Sequence, residues 1–250
     1  MINNFIDARQ FEFASFPHPL HEEGTGDSGE LYLATSKSNP SEQYIIKSGF
    51  DELGCNEFMY HKVASALGLY TQDVKLFNNK QHEHAAAIRF IPNIRKFGYE
   101  SASAENRAAF FGYEALYIIL NETDSREYYL DEDDRVFKLD NAASFKLDLS
   151  PLARAINMMA GNLLPPNAVE NTESGNYEST RQYYIEKYGQ EAGEAYLLTF
   201  QRFASLDMSI LDEAFAALEK NYPTYVVEYL YNFIQYRILT CKQYIESLSE

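Results

Sequence analysis

Two aspartates, Asp124 and Asp140, each sit beside a short apolar run, at residues 128–130 and Val136–Leu139. Phosphoryl transfer needs one carboxylate near the attacking hydroxyl and another holding magnesium against the phosphates, and such a pair on neighbouring loops would suffice. Upstream, Gly24-Thr25-Gly26-Asp27-Ser28-Gly29 fits the pattern G-x-G-x-x-G and immediately precedes a strand-like run. Glycines in such a loop let backbone amides approach a polyphosphate without obstruction from Cβ atoms. The pattern alone is weak, because an ordinary glycine-rich turn has the same composition. The dinucleotide-binding version would need a strand before the glycines and a helix after them. Here a strand follows. Lys47 ends the apolar strand Tyr44-Ile45-Ile46-Lys47, and Glu57 stands near the start of the next helix, where the helix dipole favours a carboxylate. Taken singly, these are a solvated strand-end lysine and a first-turn acid. Taken in order, they are a cation that can neutralise phosphates and a carboxylate that can orient it.

The elements around these residues suit that task. Residues 30–34 and 43–47 read as strands, and the intervening Ser-Lys-Ser-Asn-Pro-Ser is turn chemistry, so a hairpin is expected. Met59, Val63, Ala66 and Leu67 recur at helical spacing, predicting a helix over 55–67 that Gly68 stops. Residues 73–77 and 85–91 read as two further strands. Residues 104–120 carry Phe110, Tyr113, Leu116, Tyr117 and Leu120 on one helical stripe. After the two extended pieces around 128–130 and Val136–Leu139, helices are expected at 151–161, 179–187, 190–205, 209–220 and 223–248, with a loop at 164–176. The expected organisation is α+β. Residues 1–22, broken by Pro17 and Pro19, are poorly organised. Residues 23–95 form a small mixed lobe, and 96–250 form a larger helical lobe, with the boundary falling within 93–103.

Composition narrows the partners. The 250 residues carry a formal charge of −16, and 46% are hydrophobic, with 20 Tyr and 17 Phe. That is ample material for a core. The acidity disfavours nucleic acid, whose binding proteins must offer Lys and Arg, and it disfavours anionic membranes. A basic protein is the natural electrostatic complement. No apolar run is long enough to span a bilayer, and the first residues lack the order of a secretory signal. Two cysteines, Cys55 and Cys241, are too few for a disulfide framework. A cytoplasmic location is therefore expected, with export by a route that uses no cleaved signal left open.

Other candidate motifs are weaker. His82 and His84 would share a strand face but lack a third metal ligand. Asp131-Glu132-Asp133-Asp134 lacks the glycine and terminal glutamate of a calcium loop and reads as a solvated turn. The aromatic stretch 225–236 reads as core or as a partner-facing surface.

In its order of short motifs, the chain resembles the atypical kinases of the HipA-like and phosphoinositide-kinase-like group. Leu139-Asp140-Asn141-Ala142-Ala143-Ser144-Phe145 is similar to that group's I-D-N-G-L-A-F segment, and Asn121-Glu122-Thr123-Asp124 is similar to the N-x-x-D-R part of its catalytic loop. Tyr44-Ile45-Ile46-Lys47, followed by Asn56-Glu57 and the run ASALGL at 64–69, is similar to its lysine strand and glutamate helix. The resemblance covers roughly residues 24–145 and implies a two-lobed protein-kinase-like fold that uses ATP and magnesium. It implies an ion pair between Lys47 and Glu57, hydroxyl positioning or base catalysis by Asp124, and metal binding by Asp140. Phosphates would lie beneath Gly24, Gly26, Ser28 and Gly29, and Arg89 would lie close to the hinge that contacts the base. The chain departs from the pattern at Tyr129, where the group has a metal-binding asparagine; Asn141 or Glu127 would have to substitute. Ser125 replaces the arginine, and no glycine follows Asp140-Asn141. The expected activity is transfer of the γ-phosphoryl of ATP to a protein hydroxyl. The alternatives are a catalytically impaired pseudokinase that binds nucleotide or acts as a scaffold, a lipid kinase, and an acidic helical interaction module without nucleotide.

Overall fold

The computed structural model describes residues 4–15, 30–48, 51–77, 85–122, 126–141, 144–145 and 177–249. A six-stranded sheet is built from β1 (Phe5–Ile6), β2 (Phe11–Ser15), β3 (Glu30–Ser36), β4 (Gln43–Ser48), β5 (Val74–Phe77) and β6 (Ala85–Arg89), in the order β1-β5-β6-β4-β3-β2. Only β1 and β5 run parallel. The hairpin of β3 and β4 forms as the sequence predicts. Residues 1–22, expected to be poorly organised, instead contribute both edge strands. Ile6 and Phe11 are buried in the sheet's core cluster, and five register pairs join β2 to β3. A strand of two residues cannot display alternation, so β1 is recognisable only through its partner. Pro17 and Pro19 lie outside the described residues.

Alternation along β4 separates two cores. Tyr44 and Ile46 point into a cluster with Ile6, Phe11, Ala34, Phe77 and Ala87. On the opposite face, Val74, Leu76, Ala86 and Ile88 pack with Phe58, Met59 and Val63 of helix α1 (Asp51–Ala66). Gly68, at φ 77°, ends α1 as expected. Its amide donates to the Ser65 carbonyl, and the Leu69 amide donates to the Ala64 carbonyl, which satisfies the last turn with glycine in the left-handed position.

Helix α2 (Ala104–Ile119) begins at Ser103, whose side chain accepts from the Asn106 amide. Gly112 lets this helix approach Leu69 and Thr199, since an added Cβ would meet a Leu69 methyl at 2.8 Å. A small three-stranded sheet follows: β7 (Arg95–Lys96), β8 (Glu127–Leu130) and β9 (Val136–Leu139). β7 lies within the segment read as a boundary, where two exposed basic residues give no strand signal. Asn106 fixes the β8–β9 hairpin from below, donating to the Asp134 carbonyl at 2.6 Å and accepting from the Val136 amide at 3.2 Å. The acidic run is a turn, as expected, although Asp131 itself is buried and is held by Arg135 at 2.7 Å.

The remainder is helical: α3 (Tyr177–Tyr188), α4 (Gln190–Ala204), α5 (Asp212–Leu218) and α6 (Thr224–Ser247). The helix expected at 209–220 divides into a 3-10 turn, Met208–Leu211, and α5. Residues 151–161 and 164–176 lie outside the described residues. The core here is aromatic. Tyr177, Tyr196 and Phe200 are fully buried, and Tyr177 and Tyr196 pack within 5 Å of the Phe200 ring centre. Val226, Tyr229, Leu230 and Phe233 turn one side of α6 inward, so the aromatic stretch is mainly core. Buried Glu114 of α2 accepts from Tyr128 at 2.5 Å, from Arg126 at 2.8 Å and from Tyr184, tying α2 to β8 and α3. None of the described helices is long and apolar enough to cross a membrane.

Candidate active site

Lys47 pairs in register with Ala86, whose side lies against α1, and this projects its ammonium toward that helix. The ammonium lies 3.5 Å from Glu57 and makes a close ion pair with Asp140, 93 residues further along the chain. The Glu57 side chain is 1% exposed and that of Lys47 10%, whereas the Asp140 side chain remains 38% exposed. The pair is thus closed behind and open in front. Burial alone would push the Glu57 carboxyl up, but the Lys47 charge, the His61 hydrogen bond and the Asn141 amide outweigh it. The carboxyl is held well below the usual range.

Glu57 is the hub of a wider network. His61, one turn further along α1, reaches its Oε1 at 3.1 Å. The Asn141 backbone amide donates to Oε2 at 3.1 Å, and its side-chain amide lies 3.3 Å from Oε1 and 3.2 Å from His61. Asn141 is therefore turned inward. Its Oδ1 accepts from Lys138 at 3.2 Å, so the structure directs this oxygen at a buried cation, away from the metal position expected of it. Lys138 also pairs with Glu122, and both side chains are fully enclosed.

The loops around Asp140 are stitched together. The Phe145 amide donates to the Leu120 carbonyl at 2.7 Å, and Tyr229 of α6 donates to the Phe145 carbonyl at 2.9 Å. Leu120, just after α2, and Phe145, beyond Asp140, therefore lie side by side. Asp124 itself, Gly24, Gly26, Ser28 and Gly29, and His82 and His84, lie outside the described residues. Arg89 pairs with Tyr44, so its side chain occupies the sheet face opposite Lys47. There it donates to the Ser41 carbonyl at 3.0 Å and stacks over Tyr44, so its guanidinium is not directed at the Lys47 side.

With this geometry in place, comparison with known proteins is informative. No protein-family model matches the chain, and neither does any curated protein. Among solved structures, the chain is similar to the Helicobacter pylori proinflammatory kinase CtkA, at 12% identity and a TM-score of 0.59. The match covers 94% of this chain and 98% of that one. The fold is kinase-like. At this identity the likeness concerns the path of the backbone, so the chemistry has to be read from this chain's own side chains.

Sequence reasoning named Lys47, Glu57 and Asp140, which the structure brings together. It missed His61, Lys138 and Glu122. His61 lies four residues after Glu57 on one helix, a spacing that puts both on the same face. Lys138 is a lysine inside the apolar strand Val136–Leu139, and a buried cation in such a strand demands a carboxylate. Both signals were present. The partner of each could not be read, because it comes from a distant segment.

The donor set fits a divalent cation in one limited way. Magnesium is commonly held by one or two carboxylates, with phosphate oxygens and waters completing the shell. Asp140 is suitably exposed to be such a ligand. Among the described residues no three His, Cys, Asp or Glu side chains form a ready-made cage. Glu127 stands across from Leu139 in register, one residue from Asp140, and is a second exposed carboxylate at this end of the hairpin.

Proposed function

We propose that this chain is an ATP-dependent kinase of the HipA-like kind that transfers the γ-phosphoryl group to a hydroxyl of a protein. The observation that carries this reading is the meeting of Lys47, Glu57 and Asp140, delivered by a strand, a helix and the end of a hairpin. Such convergence has no structural need, since apolar residues of equal volume would stabilise the interior as well or better. Lys47 would neutralise the phosphates, oriented by Glu57. Asp140 would ligate magnesium, with the Glu127 carboxylate rather than the Asn141 amide as the further ligand. Asp124 would position the acceptor hydroxyl, and Gly24, Gly26, Ser28 and Gly29 would cover the phosphates. Bound Mg-ATP would supply the reactive phosphoryl group and neutralise the charge that develops on it. The charge of −16 favours a basic segment of a protein as acceptor over nucleic acid or an anionic lipid surface. The reading includes a cytosolic place of action.

A second reading, a pseudokinase, is favoured by one observation. The position expected to offer a metal-binding amide is Tyr129, and the Asn141 amide that could replace it is enclosed between Glu57, His61 and Lys138. The two readings separate in one experiment with γ-labelled ATP. A kinase incorporates label into itself or a basic acceptor protein in a magnesium-dependent manner. A pseudokinase gains thermal stability from ATP with no incorporation. Absence of both effects would leave neither reading standing.

A further inference from the structure

The ammonium of Lys138, on β9, is fully enclosed beside the equally enclosed carboxylate of Glu122. Besides Glu122, the Leu139 carbonyl at 3.2 Å, the Asp140 carbonyl at 3.0 Å and Asn141 Oδ1 at 3.2 Å lie within hydrogen-bond reach, so its three N–H groups are shared among four acceptors. All four acceptors lie where two loops meet. The chain turns sharply at both: Asp140 has φ 57° and Asn121, next to Glu122, has φ 51°. Non-glycine residues enter this left-handed region only at a cost, so each turn needs an external hold. For Asp140 that hold is visible, because two consecutive carbonyls at the turn share one ammonium.

We propose that Lys138, held by Glu122, is the positioning residue for Asp140: a buried cationic pin that fixes the left-handed turn and so aims the Asp140 carboxylate at Lys47. Stability alone does not explain the pair, because a buried ion pair is no more stabilising than well-packed apolar residues of the same volume. Direct participation is also closed to Lys138, whose side chain has no exposed surface. What the pair supplies is direction. The consequence for metal binding rests on the kinase reading, whereas the pinning of the turn can be measured without nucleotide.

The test compares wild type with the paired variant Lys138→Met/Glu122→Leu, which removes both buried charges together, and with Glu122→Gln, which keeps shape but not charge. Hydrogen exchange at the Asn141 amide, which donates to Glu57 at 3.1 Å, reads the turn. Magnesium titration of the ATP thermal shift reads its consequence. The paired variant is expected to melt within several degrees of wild type. Its Asn141 amide should nevertheless exchange about tenfold faster, and half-maximal ATP stabilisation should need about tenfold more magnesium, as for loss of an outer-shell partner. Glu122→Gln should shift both in the same direction by about threefold. It decides the matter if the paired variant fails to fold. Unchanged Asn141 exchange in a folded variant overturns the pin. Faster exchange in a protein whose wild type shows no magnesium-dependent ATP effect overturns the kinase reading and leaves the pin intact.

Discussion

Asp140→Ala is expected to reduce phosphoryl transfer by on the order of 10³-fold, the scale of losing a directed electrostatic group at a reacting centre. The protein should remain folded. The Asp140 side chain is 38% exposed, and a half-open ion pair contributes about 1 kcal/mol or less. Lys47 keeps Glu57 at 3.5 Å after the change, so no buried charge is stranded. Asp140→Asn is the sharper control, because it keeps the shape and removes the charge. Rates of label incorporation, measured beside melting curves, check this. Activity within severalfold of wild type in a folded Asp140→Ala protein would exclude Asp140 as the metal-binding residue.

The largest effect on stability is expected at Glu57. Its carboxylate is enclosed and meets Lys47, His61 and two donors of Asn141. Glu57→Ala leaves those groups facing a void, and breaking a buried pair in this way costs about 3–5 kcal/mol. Denaturant midpoints would read the loss. The same carboxylate should give the fold an acid limit. Its pKa is depressed below the ordinary 4.5 because Lys47, His61 and the Asn141 amide outweigh the opposing burial. An unfolded chain therefore takes up this proton first as pH falls. The contribution is fully present above the unfolded value and is lost as pH falls through that value toward the folded one. Between about pH 5 and pH 3, wild type should lose stability more steeply than Glu57→Gln. Parallel curves for the two would show that Glu57 is not held as described.

Much of this was legible in the residues. β3, β4, β5 and β9 show themselves through apolar runs bounded by turn chemistry, and α2 through its stripe and the Ser103 cap. Lys47, Glu57 and Asp140 could be named because each stands at a fixed place relative to such an element. What could not be read depends on pairing across the chain. β1 is two residues long and exists through β5, and β7 is two exposed basic residues supported by β8. α1 begins at Asp51, earlier than its apolar periodicity, because the polar first turn carries no stripe. Asn141 looked like a metal ligand because an amide beside an aspartate has the right chemistry. Its direction is set by Glu57 and Lys138, which lie far away or on the other side of the turn. Arg89 was placed correctly on its strand, but its register with Tyr44 puts the guanidinium on the other face of the sheet.

The measurement that bears most directly on the central claim is the magnesium-dependent thermal shift with ATP on wild type, Lys47→Ala and Asp140→Ala, side by side. If the two side chains share one polyphosphate–metal site, wild type gains about 2.7 kcal/mol at a hundredfold excess of ATP over its dissociation constant. Lys47→Ala then loses most of the shift, and Asp140→Ala loses the part that depends on magnesium. Equal shifts in all three proteins, or none in wild type, would contradict the account.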